Sequence, residues 1–371
     1  MYGPPPSFPA TQSCFVIRVI MTVTSVATES EAAAASQGTG TTLLLVDVQN
    51  DFHPGGSLAI PSANEDAERI ANIIKTYPAK INRIVATLDS HHKLHIAHPY
   101  FWVKGEDDGG NNNNNNNSKD GSQETSATRP EPFTIISADD IASGKWKPRS
   151  DLRIAANTDE IMSLDPTIFE NVQSVQKPQQ KGEFDLQKYC LEYARRLEQR
   201  GRFQICIWPE HCLIGSEGHA IVPTVRRAME EWSAITGRTV EFVHKGQHLL
   251  TEMYSALAAD VPVSIDTTFN SKLHRSLLPQ SLSPAAAGGC GAGNGSTKLV
   301  VCGQAMSHCV NYTLRDIVEH CTTKHDVDRI YLLKDCASAV PGFEAAAETF
   351  QEDMKKAGVH LVTSLDLGDI L

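Results

Sequence analysis

Residue types able to do chemistry gather at a few places in this 371-residue chain, each just past a short apolar run. The most informative is LVVCGQAMSHCVNYTLRDIVEH, from Leu299 to His320. Leu299, Val300, Val301 and Cys302 read as a buried strand ended by Gly303, and Val310, Leu314, Ile317, Val318 and Cys321 then repeat at helical spacing. Ser307 suits the cap position, which places Cys309 in the first helical turn. Unpaired amides and the helix dipole favour an anion there, so the spacing predicts a thiol of lowered pKa and nucleophilic character. A small apolar cysteine packed at a strand end is the plainer alternative.

Carboxylates, imidazoles and an ammonium follow other strands. In TTLLLVDVQNDFHPGGSL, Asp47 stands at the carboxyl end of the strand Leu43 to Val46, the end where open parallel sheets bind ligands. A turn-capping role would also explain it. The strand Ile84 to Leu88 runs into LDSHHKLHIAHPYFW, which holds Asp89, His91, His92, His95 and His98. Oxygen and imidazole donors of this kind suit zinc, manganese or iron. Asp89 and His91 alternate past the strand and can converge on one ion, whereas His92 points away if the chain stays extended. A third strand, Phe203 to Ile207, delivers His211 in WPEHC, with Trp208 as a candidate aromatic wall. The strand Val240 to Val243 leads to Lys245 and Gly246, and the lysine either reaches inward among Asp47 and Cys309 or lies solvated.

Positioning these groups requires a layered scaffold. Helical periodicity runs over Asn64 to Tyr77, Thr224 to Trp232 and Phe343 to Lys356, and further strands are expected at Ile330 to Leu333 and His360 to Thr363. Strands alternating with helices predict an α/β domain: a doubly wound, about six-stranded parallel sheet with helices on both faces. The domain spans 41–371. It carries an insertion, 104–201, whose asparagine-rich part, 105–131, is too polar to hold a core, and a flexible linker at 283–296. Within the insertion, Phe133, Ile135, Ile136, Ile141 and Trp146, and the helix face Leu186, Cys190, Tyr193 and Leu197, are apolar enough to dock beside the site. Residues 1–40 read as a disordered tail, with a weak organelle-targeting character.

A net charge of −11, from 33 basic and 44 acidic residues, offers no basic face for nucleic acid or anionic lipid. No apolar run approaches a membrane span. Small molecules are therefore the expected partners, with room for a homo-oligomer. Nine cysteines without repeated CxxC pairs argue for reduced thiols and a cytoplasmic setting.

Five motifs in order, VDVQNDFHPGGSL, DSHHKLH, WPEHC, HKG followed by TEMYSALAADVP, and GQAMSHCV, resemble the isochorismatase-like cysteine hydrolases and, within them, the nicotinamidases. The resemblance implies a catalytic triad of Asp47, Lys245 and Cys309 and metal ligands Asp89, His91 and His211. His95 matches a histidine that joins the metal in some members. It further implies a cis peptide at Gln304-Ala305, an oxyanion hole from the amides of Ala305 and Cys309, ring contacts from Phe52 and Trp208, and a divalent cation, zinc before manganese or iron. The implied activity is hydrolysis of nicotinamide to nicotinic acid and ammonia through a thioester, in pyridine nucleotide salvage. The alternatives are another small-amide hydrolase of the superfamily and a non-catalytic ligand-binding member. The insertion, which separates two halves of the metal motif, is not part of a compact nicotinamidase.

Overall fold

The computed structural model of the protein describes residues 40–105, 128–152, 184–279 and 297–371. The N-terminal tail, the asparagine run and the linker 283–296 lie outside the described residues.

Six strands form one all-parallel sheet: β1 (Thr41–Val46), β2 (Ile81–Asp89), β3 (Glu241–Lys245), β4 (Lys298–Gly303), β5 (Ile330–Leu333) and β6 (His360–Val362), in the order β6-β5-β4-β1-β2-β3. The main helices are α1 (Ala63–Thr76), α2 (Leu186–Arg200), α3 (Pro223–Thr236), α4 (Cys309–Glu319) and α5 (Glu344–Ala357). Successive strand residues face opposite sides, so β1 serves two cores. Leu43 and Leu45 pack with Ile70, Ile74 and Trp232 of α1 and α3, while Leu44 and Val46 pack with Val310, Leu314 and Phe350 of α4 and α5. This is the doubly wound architecture that alternating strands and helices predict.

The third expected strand is a correction. Only Ile205–Cys206 is extended, and it pairs antiparallel with Ile135–Ile136 outside the main sheet. The β2 edge is instead taken by β3, whose register sets Lys245 opposite Asp89. β3 thus begins and ends later than the apolar run Val240 to Val243, because Lys245 still pairs with the sheet.

The described parts of the segment 104–201 build a separate cluster. Trp102, Ile136, Ile141, Trp146, Tyr189, Tyr193 and Leu197 pack together with Ile96, Leu250, Val261 and Val263. Trp102 is fully buried, and its indole N–H donates to the Ile96 carbonyl at 2.7 Å. We expect Trp102→Ala to destabilise the whole domain by about 3–5 kcal/mol in denaturant unfolding, as truncation of buried large side chains does. A loss below about 1 kcal/mol would show that the insertion folds independently of the sheet.

Candidate active site

The candidate residues converge at the carboxyl ends of β1, β2, β3 and β4. Asp47 follows β1 with φ +45°, a left-handed conformation that aspartate tolerates better than most residues. Its amide donates to Thr87 Oγ1 at 3.1 Å, and Thr87 Oγ1 donates to Asp47 Oδ1 at 2.5 Å. Lys245 Nζ lies 2.9 Å from Asp47 Oδ2, 2.9 Å from Asp89 Oδ1 and 3.4 Å from Cys309 Sγ. It also donates to the Met253 carbonyl at 3.3 Å. Acceptor atoms of Asp47, Asp89 and Cys309 fall within 4.8 Å of one another. The lysine therefore reaches inward, and its ammonium sits where those acidic groups would otherwise repel.

Cys309 opens α4, but Ser307 does not cap it. The cap position belongs to His308, whose backbone (φ −130°, ψ −92°) gives no side-chain cap bond. Ser307 Oγ instead meets His308 Nδ1 at 2.8 Å and accepts the Val340 amide at 3.1 Å. The Gln304-Ala305 bond is cis, and a turn over residues 306–308 precedes the helix, which begins at residue 309, past the reach of Ser307. Among the described residues, no acceptor takes the amide of Ala305 or Cys309, so both N–H groups are free for a developing oxyanion.

The expected depression of the thiol pKa is not what the site produces. Burial pushes the Cys309 thiol well above its ordinary value, and Lys245 only partly opposes this. Burial also raises the Asp47 pKa against the pull of Lys245, with Asp89 adding to the rise. Burial alone would depress Lys245, yet the two carboxylates outweigh it and hold its pKa well above the usual lysine range. Cys309 and Asp47 thus both hold their protons more tightly than usual beside a charged ammonium. Sequence reasoning considered the helix terminus and not the desolvation.

Beside the triad lies a cluster of imidazoles. His91, His98 and His211 bring ring nitrogens within 4.8 Å of one another. Each turns Nδ1 to a backbone carbonyl: His91 to Gly246 at 2.9 Å, His98 to Lys93 at 3.3 Å and His211 to Pro209 at 2.8 Å. Their Nε2 atoms turn to the other side, toward a common centre, and Asp89 there outweighs burial to hold the His91 pKa up at about 9. Asp89 Oδ2 joins that centre, 3.1 Å from His91 Nε2 and 3.3 Å from His211 Nε2. His98 Nε2 is buried without a partner, and burial together with His91 and His211 holds its pKa near 2, so the ring is neutral as a ligand must be. One carboxylate and three imidazoles whose outer nitrogens are anchored suit zinc, manganese or iron.

His95 sits differently. Its Nε2 faces the Thr251 carbonyl at 3.2 Å and its Nδ1 accepts the Ala97 amide at 3.2 Å, leaving no nitrogen for an ion. His92 is exposed, as an extended segment implies. The turn after Ile96 decides between His95 and His98, and strand periodicity carries no information about it. Sequence reading also passed over Gln49, whose side-chain amide grips Asp89 by accepting its N–H and donating to its carbonyl, both at 2.7 Å. Gly246 has φ +75°, and a Cβ there would come within 2.7 Å of the His91 ring, so the glycine after Lys245 makes room for the cluster.

Phe52, Leu58, Trp208, Tyr254, His308 and Val340 complete a narrow, tightly filled pocket over Cys309, Ala305, Asp89 and His211. Phe52 meets His211 edge-on at 5.6 Å, and Trp208 meets His308 at 5.0 Å. A larger groove near Arg202, Tyr312 and Ala345 is open and is lined by no cysteine, serine or histidine. Among the described residues, no helix is long and apolar enough to cross a membrane.

No protein-family model and no curated protein matches the chain. Solved structures similar to it include a nicotinamidase/pyrazinamidase of Acinetobacter baumanii, at 17% identity over 90% of this chain and 100% of that one, with a TM-score of 0.48. The yeast nicotinamidase bound to the inhibitor nicotinaldehyde is also similar, at 17% identity over 87% and 99%, TM-score 0.47. So is a pyrazinamidase of Pyrococcus horikoshii in complex with zinc, at 17% identity over 87% and 98%, TM-score 0.41.

The two candidate third histidines separate experimentally. We expect His98→Ala to weaken zinc binding by at least about tenfold in a chelator competition, a loss on the scale known for metal-site partners, while His95→Ala changes it little. Equal losses from both would place His95 among the ligands.

Proposed function

We propose that the protein is a cysteine-dependent amidase that hydrolyses nicotinamide, or a closely related aromatic carboxamide, to the carboxylic acid and ammonia. The observation that carries this reading is the contact of Lys245 with Asp47 and Cys309 beside the Asp89, His91, His98 and His211 cluster. The ordered motifs of the sequence, which resemble those of nicotinamidases, supply the choice of nicotinamide.

In the proposed mechanism, Asp47 takes the Cys309 proton as the thiol attacks the amide carbon, and Lys245 offsets the negative charge passing between them. The oxyanion that forms accepts from the amides of Ala305 and Cys309, contacts of a kind whose loss costs about 2.7–4 kcal/mol. Protonated Asp47 gives its proton to the leaving nitrogen as the C–N bond breaks, releasing ammonia and a thioester. Asp47 then takes a proton from water as it attacks the thioester, and returns one to the departing thiolate of Cys309. A divalent cation held by Asp89, His91, His98 and His211 would supply a Lewis-acid contact for the substrate's ring nitrogen. Phe52 and Trp208 flank the ring, which aligns the carboxamide with the thiol.

We expect Cys309→Ala to abolish ammonia release from nicotinamide, while His211→Ala chiefly raises KM and weakens metal binding. Mild and equal losses in steady-state kinetics from both would contradict the assigned roles. Removing the metal with a chelator is expected to raise KM for nicotinamide, with recovery on adding zinc; unchanged KM in the metal-free protein would remove the cation from substrate binding.

A further inference from the structure

One ionisable group on the pocket wall has no part in the chemistry above. Glu252 is 5% exposed and lines the pocket together with Asp89, His211 and Cys309. Its Oε1 accepts the Met253 amide at 2.8 Å, whereas Oε2 is buried without a hydrogen-bond partner. A buried carboxylate oxygen left unpaired is costly unless a ligand pairs it. Neighbouring donors are already engaged: Trp208 Nε1 donates to the Tyr254 hydroxyl at 2.9 Å, and His211 Nδ1 faces the Pro209 carbonyl. A ligand entering the pocket can supply the missing partner.

The main chain that carries Glu252 is held in place. Its amide donates to the Tyr193 hydroxyl at 2.9 Å, the Tyr189 hydroxyl donates to the Leu250 carbonyl at 2.6 Å, and Thr251 Oγ1 donates to the Val261 carbonyl at 2.8 Å. Both tyrosines belong to α2, so the segment after Lys245 is clamped by that helix. The amides of Ala305 and Cys309 take up the carboxamide end of the substrate, so a donor for Glu252 must lie on the ring.

We propose that Glu252 is a specificity-determining residue that accepts a hydrogen bond from an N–H group carried on the ring of an aromatic carboxamide, and that Tyr193 of the insertion is its positioning residue. This deepens the amidase reading and rests on it. The pocket then favours ring-amino carboxamides over unsubstituted nicotinamide.

The test uses the zinc-loaded full chain carrying Cys309→Ala, so that binding is read without turnover. Affinities for nicotinamide and its ring-amino derivatives are measured by calorimetry, with and without Glu252→Gln, which sets a donor where Oε2 stands. At least one amino derivative is expected to bind about tenfold more tightly than nicotinamide, the scale of one hydrogen bond to a buried group, and Glu252→Gln to abolish or reverse that preference. Tyr193→Phe is expected to reduce the preference while nicotinamide itself binds as before, and Glu252→Met replaces Glu252→Gln if the latter does not fold. No preference in the parent, or the same preference with residue 252 changed, overturns the assignment. Ammonia release from nicotinamide by the unmodified protein is assayed separately. A Glu252-dependent preference without any turnover would remove the amidase reading and keep the assignment, whereas turnover without the preference would overturn the assignment alone.

Discussion

The buried ammonium of Lys245 is the contact on which the site depends. Asp47 and Asp89 are both buried, and without a cation between them their mutual repulsion and desolvation would drive at least one to take up a proton. One charge therefore serves two functions. It keeps Asp89 ionised, with a pKa well below the usual carboxylate range once His91 and Lys245 have outweighed burial, and so available to a metal. It also lies against Asp47 and Cys309, where the proposed proton transfer occurs. The parallel register of β2 and β3 sets this up by placing Lys245 directly opposite Asp89.

The sheet order explains why these groups meet. From β1 the chain builds outward through β2 to β3, then returns to lay β4 on the other side of β1. The change of direction leaves a crevice at the carboxyl ends of β1 and β4, the place where open parallel sheets bind ligands. Asp47 enters from one strand and Cys309 from the other. Gly303, at φ +119°, allows the close approach, since a Cβ there would lie 2.0 Å from the Val46 carbonyl oxygen. The thiol is thus buried beside a carboxylate rather than presented to solvent at a bare helix end, which is why desolvation prevails over the dipole.

The segment between β2 and β3 has two effects on the pocket. It carries His211 and Trp208 back to the sheet, and its helix α2 holds the main chain of residues 250 to 252 through Tyr189 and Tyr193. Its packing with Leu250, Val261 and Val263 shows that the addition is joined to the far wall of the site and not simply appended at the surface.

Much of this was legible in the chain itself. Apolar runs alternating with helical periodicity determined the parallel α/β sheet, because burial on both faces leaves no other reading of β1 and β4. Asp47, Asp89, His91, His211, Lys245 and Cys309 could each be picked out because each lies within a few residues of a strand or apolar-run end. Only the tertiary structure decided which of His95 and His98 faces the others, that Ile205–Cys206 leaves the main sheet, and that Ser307 does not cap α4. It also raised the thiol pKa and brought Thr87, Gln49 and Glu252 to the site. The reason is common to all of these: periodicity reports which side of an element a residue occupies, whereas the direction of a loop side chain and the cost of burying a charge depend on contacts made across the whole chain.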